Sequence, residues 1–249
     1  MATVFKKTKG LTDLPFHYCP GCTHGIVHRL VAEVLEELDM LGNAVNIAPV
    51  GCAVFCYKYF NNDGISASHG RACAVACGVK RADPEKIVFT YQGDGDLAAI
   101  GTAETVHAAV RGDNFTCIFI NNCIYGMTGG QMAPTTLIGQ VSQTTPYGRD
   151  ADANGMPIKV SEMLSTLDAP AYIERVSCDT IKNILATKKA IKKAFQYQAE
   201  GKGFTMVEVL GICPTNWGLN VEESVDWLRS DMMPYYPLGV YKDKFAEEA

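Results

Sequence analysis

Short apolar segments alternate with longer segments in which apolar residues recur at helical spacing. Residues 24–41 show the helical pattern, because their apolar side chains lie three or four positions apart and would form one broad face. Helices are predicted at 24–41, 69–82, 96–112, 159–168 and 180–200, and strands at 44–49, 86–91, 115–121, 170–177 and 204–210. Strands and helices therefore alternate along most of the chain.

The predicted strands are almost continuously apolar, which is typical of strands buried on both faces. This pattern indicates an α/β fold in which helices cover both faces of a mostly parallel sheet. Crossovers in such a sheet are right-handed, so the carboxyl ends of the strands share one edge. We expect one domain over 1–213 and an aromatic-rich tail over 214–249 that acts as an interface arm. The irregular stretch 132–158 is expected to be functional or to form an interface, because structureless loops of that length are uncommon.

Composition and charge narrow the functional classes. A net charge of −5 provides no basic surface for nucleic acid, and no apolar run has the length of a membrane span. The first ten residues, MATVFKKTKG, lack the apolar stretch of a signal peptide, which predicts a cytoplasmic location. Ten cysteines in a reducing compartment favour metal ligands over a disulfide framework.

Polar or glycine-bearing loops follow the predicted strands at their shared edge, where open α/β sheets bind ligands. Gly93-Asp94-Gly95 follows the strand 86–91, and its glycines would let backbone N–H groups approach a phosphate. Taken alone, this tripeptide is equally typical of a tight turn. Asn122, however, ends the next strand 28 residues later, and a strand–helix–strand unit places the two loops side by side. Asp94 and Asn122 are therefore predicted to hold a divalent metal, such as Mg²⁺, against a diphosphate.

Cys19 and Cys22 form a C-x-x-C step before the first helix. Such a step is compatible with a disulfide, a haem attachment, a zinc site or an iron–sulfur cluster, but haem attachment requires histidine where Thr23 stands. Cys52 and Cys213 follow two strands at the shared edge, so four thiolates are expected to converge there. Geometry alone leaves Zn²⁺ and a [4Fe–4S] cluster both open.

Several motifs together resemble one family, the β subunit of 2-oxoacid:ferredoxin oxidoreductases, over about two hundred residues. The resembling segments are CPGC (19–22), Gly51-Cys52, HGR (69–71), GDGD (93–96), NNCIYGMTGGQ (121–131) and Cys213. The resemblance implies a thiamine diphosphate-binding domain in which Asp94, Asn122 and the Ile124 carbonyl hold Mg²⁺. It also favours iron–sulfur over zinc, with a [4Fe–4S] cluster held by Cys19, Cys22, Cys52 and Cys213. The residues expected at the cofactor are Gly51, Cys52, Ala53, His69, Gly70, Arg71, Gly93, Asp94, Gly95, Asp96, Asn122, Ile124, Tyr125, Gly126, Met127 and Thr128.

The activity implied by the resemblance is oxidative decarboxylation of a 2-oxoacid to acyl-coenzyme A and CO₂, with electrons passing to ferredoxin. The glutamate that activates thiamine diphosphate is expected from a partner α subunit with a pyrimidine-binding domain, so no catalytic base is assigned to this chain. The apolar stretch Ala53-Val54-Phe55 favours branched-chain substrates such as 2-oxoisovalerate. The alternative substrate is 2-oxoglutarate, whose distal carboxylate Lys58 could approach. An alternative of another class is a zinc-stabilised nucleotide-binding module without catalysis.

Overall fold

A single sheet forms the centre of the computed structural model, which describes residues 6–246. Across the sheet the strands follow the order β2-β1-β3-β4-β6-β5-β7, and every neighbouring pair is parallel except β5 with β7. The described strands are Ala44–Ala48 (β1), Asp63–Ser66 (β2), Ile87–Gly93 (β3), Thr116–Asn121 (β4), Tyr172–Ser177 (β5), Thr205–Leu210 (β6) and Gly239–Asp243 (β7). The predicted α/β fold with a mostly parallel sheet is confirmed.

Helices connect the strands and vary from one turn to nineteen residues. The described α-helices are His24–Glu37 (α1), Cys56–Tyr59 (α2), Ala72–Ala82 (α3), Thr102–Arg111 (α4), Ala151–Asn154 (α5), Val160–Ser165 (α6), Ile181–Ala199 (α7), Pro214–Trp217 (α8), Val221–Trp227 (α9) and Met233–Tyr235 (α10). The chain also forms 3₁₀ turns at Leu41–Asn43 and Cys52–Phe55, and π-helical turns at Gly95–Ile100 and Leu228–Met232. Among residues 6–246, no helix combines the length and apolar character that crossing a membrane requires.

Two apolar layers cover the sheet. Helices α1 and α7 pack on one face, and α3, α4 and α6 pack on the other. Successive side chains of a strand point to opposite faces, so Phe89 enters the first layer and its neighbour Val88 enters the second. Burial of both faces explains why the central strands are continuously apolar in sequence.

The C-terminal segment packs on its own domain. Tyr236 is fully buried and its hydroxyl donates to the Thr135 carbonyl at 2.7 Å, while β7 adds to the sheet beside β5. A role of the tail as an interface arm stays a prediction. The first five residues of the predicted domain and the last three of the predicted tail lie outside the described residues.

The long irregular stretch 132–158 is organised by one buried arginine. Arg149 is 5% exposed, and its guanidinium donates to backbone carbonyls on both sides of it in the chain. The acceptors are Ala133, Pro134, Thr136, Asn154, Gly155 and Met156. The loop is therefore held by hydrogen bonds to a central cation where regular structure is lacking.

The predicted helix 96–112 is interrupted near its start. Its first part is the π-helical turn Gly95–Ile100, in which the Gly101 N–H donates to the Asp96 carbonyl five residues earlier at 2.9 Å. A Cβ at Gly101 would lie 2.6 Å from that carbonyl oxygen and 2.7 Å from the oxygen of Gly70. The absence of a side chain at Gly101 thus permits the turn to pack against the loop that contains Gly70.

Arg175 on β5 joins several elements from a fully buried position. Its Nε lies 2.9 Å from Glu208 on β6, and its terminal nitrogens contact Glu162 on α6 at 2.5 and 2.9 Å. Nη1 also donates to the Tyr241 hydroxyl on β7 at 2.5 Å. These contacts connect the sheet, a covering helix and the C-terminal strand.

We expect Arg175→Met to lower the free energy of unfolding by about 3–5 kcal/mol, because it leaves the buried Glu208 carboxylate without its cation. Urea denaturation measures the change. Lys192→Met serves as the control, since Lys192 pairs with Glu37 at the surface and exposed pairs contribute about 1 kcal/mol or less. Equal, small losses in both variants would contradict the role given to Arg175.

Candidate active site

A cleft of about 540 Å³ opens at the carboxyl edge of the sheet. Its walls come from the loops after β1, β2, β3 and β4, together with the start of α1. The lining residues are His24, Val50, Gly51, Cys52, His69, Gly93, Asp94, Gly95, Asp96, Asn122, Ile124, Tyr125, Gly126, Met127 and Thr128. Thirteen of the sixteen residues predicted at the cofactor are in this set, and the parallel sheet explains why loops distant in sequence meet here.

Ala53, Gly70 and Arg71 were also predicted at the cofactor, but they do not line the cleft. Ala53 is buried in the 3₁₀ turn after β1. Arg71 is directed toward α4, where its Nη1 lies 2.7 Å from the Glu104 carboxylate. The sequence pattern did not indicate that Glu104, near the start of α4, would pair with Arg71.

Asp94 is buried directly after β3, with 2% of its surface exposed. Its carboxylate accepts hydrogen bonds from the Gly95 N–H at 2.9 Å, the Ile124 N–H at 3.1 Å and the Thr135 hydroxyl at 2.7 Å. Burial raises the pKa of Asp94 to about 6, although these hydrogen bonds act in the opposite direction. A cation beside Asp94 would supply the stabilisation that burial removes from the carboxylate.

Asn122 follows β4 and presents a buried side-chain oxygen. Within the described part of the chain, this Oδ1 has no hydrogen-bond partner, although an unsatisfied buried acceptor costs about 1–3 kcal/mol. Its own backbone carbonyl accepts from Trp217 Nε1 at 3.1 Å, which holds the peptide in place. Asp94, Asn122 and the neighbouring Ile124 peptide therefore fit the predicted Mg²⁺ site, since Mg²⁺ prefers oxygen ligands.

Asp96 ties three loops together from a buried position. Its Oδ1 accepts from the N–H groups of Val50 at 3.2 Å and Gly70 at 2.8 Å, and it lies 2.7 Å from His69 Nδ1. The other oxygen accepts from Gln92 Nε2 at 2.7 Å. These hydrogen bonds fix the loops that form the cleft. Gly70 contributes through its N–H group although it does not line the cleft itself.

The four cysteines predicted as cluster ligands lie close enough to influence one another's charge, and Cys52 among them lines the cleft. Burial raises the pKa values of Cys22 and Cys52 to about 12, and the other predicted ligand thiols raise them further through charge interactions. A Cβ at Gly126 would lie 3.0 Å from Cys52 Sγ and 3.7 Å from Cys213 Sγ. Gly126 therefore lets the loop after β4 lie directly against two of the sulfurs.

N–H groups also donate hydrogen bonds to two of these cysteine sulfurs. Cys22 Sγ accepts from the His24 N–H, and Cys213 Sγ accepts from both the backbone and the side chain of Asn216. Among residues 6–246, no group of three or more His, Cys, Asp or Glu side chains is arranged so that it could hold a metal ion. A [4Fe–4S] cluster takes one thiolate at each of its four iron atoms, so the four predicted thiols supply the ligand set that such a cluster requires.

Three residues of this region were missed as contributors to the site. His24 was not among the residues predicted at the cofactor, yet it lines the cleft with its ring stacked on Tyr18 at 4.7 Å between centroids. Burial lowers the pKa of His24 to about 3, so the ring is neutral. Asn216 and Trp217 reach the loop after β4 from the segment following Cys213. Their position close to a predicted ligand is the one sequence signal that pointed to them.

The chain is similar to several known proteins. Residues 49–209 match the C-terminal TPP binding domain of thiamine pyrophosphate enzymes. The chain is 47% identical over 244 residues to the ketoisovalerate oxidoreductase subunit VorA of Methanothermobacter thermautotrophicus, covering 98% of this chain and 51% of that protein. It is 36% identical over 206 residues to the 2-oxoglutarate synthase subunit KorB of Methanocaldococcus jannaschii, covering 82% and 72% of the two chains.

A solved structure is also similar. It is the 2-oxoglutarate:ferredoxin oxidoreductase from Magnetococcus marinus with 2-oxoglutarate, coenzyme A and succinyl-CoA bound. The TM-score is 0.79 at 26% identity, covering 98% of this chain and 87% of that one. The chain spans about half the length of the ketoisovalerate oxidoreductase subunits it matches.

Gly95→Ala should weaken binding of thiamine diphosphate with Mg²⁺, because the new Cβ would lie 2.1 Å from the Tyr125 ring and displace it from the cleft wall. Thermal unfolding with and without the two ligands measures binding, since a ligand at a hundredfold excess over Kd stabilises the native state by about 2.7 kcal/mol. We expect the variant to lose most of the ligand-induced rise in Tm. Gly42→Ala is the control, as a Cβ there meets nothing within 4 Å, and a full rise in both variants would contradict the prediction.

Proposed function

Since the chain belongs to the thiamine diphosphate-binding β subunits of 2-oxoacid:ferredoxin oxidoreductases, we propose that it binds thiamine diphosphate, Mg²⁺ and a [4Fe–4S] cluster. With a partner subunit, it would oxidatively decarboxylate a 2-oxoacid to acyl-coenzyme A and CO₂ and pass electrons to ferredoxin. One observation carries the proposal: the buried residues Asp94 and Asn122 line the same cleft as Cys52.

The residues of the cleft have distinct tasks in this proposal. Asp94, Asn122 and the Ile124 carbonyl would hold Mg²⁺, and the segment from Tyr125 to Thr128 would line the diphosphate. When bound, thiamine diphosphate supplies the decarboxylation chemistry, and the protein contributes position and electrostatics. The neutral His24 ring also lines the cleft, and Asp96 holds the loops of Val50 and Gly70 by accepting their N–H groups.

Cys19, Cys22, Cys52 and Cys213 would hold the cluster. Support comes from their mutual proximity, from the hydrogen bonds that their sulfurs accept, and from the closeness of Gly126 to two of them. Burial raises the pKa of the Cys52 thiol, and binding to a metal would keep that thiol deprotonated. Family membership argues against the alternative of a non-catalytic zinc-stabilised module.

We favour a branched-chain 2-oxoacid such as 2-oxoisovalerate as the substrate. The similarity to a ketoisovalerate oxidoreductase subunit is stronger than that to the 2-oxoglutarate synthase subunit, at 47% against 36% identity. The cleft presents the apolar side chains of Val50, Ile124 and Met127. Val54 and Phe55 do not line it, so they do not carry the preference argued from the sequence.

The alternative substrate, 2-oxoglutarate, would need a partner for its distal carboxylate, because leaving it buried and unpaired costs several kcal/mol. Lys58 was the candidate for this role. Its ammonium lies over the rings of Phe55 and Tyr57, at 4.8 and 5.8 Å from their centroids. These contacts engage Lys58 outside the cleft and support the branched-chain proposal.

The proposal requires further components. The glutamate that activates the cofactor would come from an α subunit with a pyrimidine-binding domain, consistent with relatives that are named as subunits. Ferredoxin or a ferredoxin-like subunit would accept the electrons, and coenzyme A the acyl group. A cytoplasmic location accords with the ten free thiols that the structure describes.

Cys52→Ala and Cys213→Ala should each lose most of the iron and acid-labile sulfide, because a cluster needs all four thiolates. Iron and sulfide analysis of the purified protein, together with its visible absorbance, measures the loss. Cys178→Ala is the matched control, since Cys178 lies at the end of β5 and donates to Thr187, and we expect it to keep its iron. Full iron in both ligand variants would remove Cys52 and Cys213 from the site.

The assembled enzyme should have a kcat/KM for 2-oxoisovalerate about tenfold above that for pyruvate, since two further buried carbons contribute about 1.6 kcal/mol. Reduction of ferredoxin in the presence of coenzyme A measures the rates, and the isolated chain should be inactive until the α subunit is added. Lys58→Met should leave the order of substrates unchanged. A clear preference for 2-oxoglutarate that Lys58→Met abolishes would overturn the assignment.

A further inference from the structure

Asn216 lies between the diphosphate loop and one of the sulfurs proposed to hold the cluster. Its Nδ2 donates to the Gly126 carbonyl at 2.8 Å and to Cys213 Sγ at 3.4 Å. Its backbone N–H also donates to the same sulfur. Two N–H donors from one residue are therefore directed at a single thiol.

The surroundings of Asn216 fix the orientation of its carboxamide. The short helix α8 starts directly after Cys213, and the Trp217 N–H donates to the Cys213 carbonyl at 2.9 Å. On the opposite side, a Cβ at Gly130 would lie 3.2 Å from Asn216 Oδ1. A flipped amide would place its oxygen against the Gly126 carbonyl and the sulfur, which both act as acceptors. The donor therefore faces Cys213 Sγ.

We propose that Asn216 raises the reduction potential of the [4Fe–4S] cluster by donating its side-chain N–H to Cys213 Sγ. When the oxidised cluster takes up one electron, negative charge increases on its sulfur ligands, and a hydrogen-bond donor stabilises that charge. The contact to Gly126 would keep the amide in the donating position. This inference rests on the proposed function, because it requires a cluster at Cys213.

A redox titration of the assembled enzyme tests the inference. Dithionite supplies the electron, mediators set the potential, and the electron paramagnetic resonance signal of the reduced cluster reports its population. Asn216→Leu keeps the volume and the backbone N–H but removes the side-chain donor. We expect the ratio of reduced to oxidised cluster at a fixed potential to fall about tenfold, which corresponds to a shift of about −59 mV for one electron.

Two further variants sharpen the result. Asn216→Asp keeps the shape and replaces the donor with a negative charge, so we expect a larger downward shift than with leucine. Thr215→Val changes an exposed neighbour on the same helix and should leave the potential unchanged. If Asn216→Leu does not assemble, Asn216→Ala decides the question, because it also removes the side-chain donor and adds no charge.

The outcomes separate this inference from the proposed function. An unchanged potential in an Asn216 variant that retains its iron would overturn the tuning role. A shift of equal size in Thr215→Val would also overturn it, because the effect would then belong to α8 as a whole. Absence of iron and of a reduced-cluster signal in the wild-type enzyme would instead refute the cluster itself.

Discussion

The parallel pairing of β3 with β4 is the constraint on which the site depends. Gly93 pairs with Ile120, so the chain leaves both strands at the same level of the sheet, and Asp94 comes beside the turn that carries Asn122. The Ile124 N–H then closes on the Asp94 carboxylate at 3.1 Å. A slip of one residue in this register would turn the buried side chains to the opposite face and separate Asp94 from Asn122. The apolar layers that fix the register thus also fix the positions of the two proposed Mg²⁺ ligands.

Buried carboxylates also fix the surrounding loops, because they accept hydrogen bonds from them. Asp96 accepts from the backbone of two loops, and Glu208 accepts from Asn121 Nδ2 at 2.8 Å while pairing with Arg175. Asn121 in turn accepts from the Cys123 N–H at 3.2 Å, where the backbone has a φ of 57°. A left-handed conformation is unfavourable for a residue other than glycine, and this hydrogen bond helps to stabilise it. The turn bearing Asn122 is therefore connected to the most deeply buried ion pair of the sheet.

The sequence predicted the features that local patterns encode. Continuous apolar runs identified five of the strands, and the spacing of Asp94 and Asn122 across one strand–helix–strand unit predicted their proximity. β2 was missed because its residues, Asp63–Ser66, are exposed and carry no apolar run. β7 was missed because its pairing with β5 depends on how the tail folds back onto the domain. Contacts such as Trp217 with Asn122 join residues 95 positions apart, and no local pattern encodes them.

The closeness of the two proposed cofactors follows from a missing side chain. Gly126 belongs to the loop that would line the diphosphate, and any Cβ there would press against Cys52 Sγ at 3.0 Å. The Gly126 backbone therefore lies directly against the sulfurs of Cys52 and Cys213, and Gly126 also lines the cleft. The C-terminal segment keeps this loop in position, because the Asn216 side chain donates to the Gly126 carbonyl and the Trp217 side chain donates to the Asn122 carbonyl.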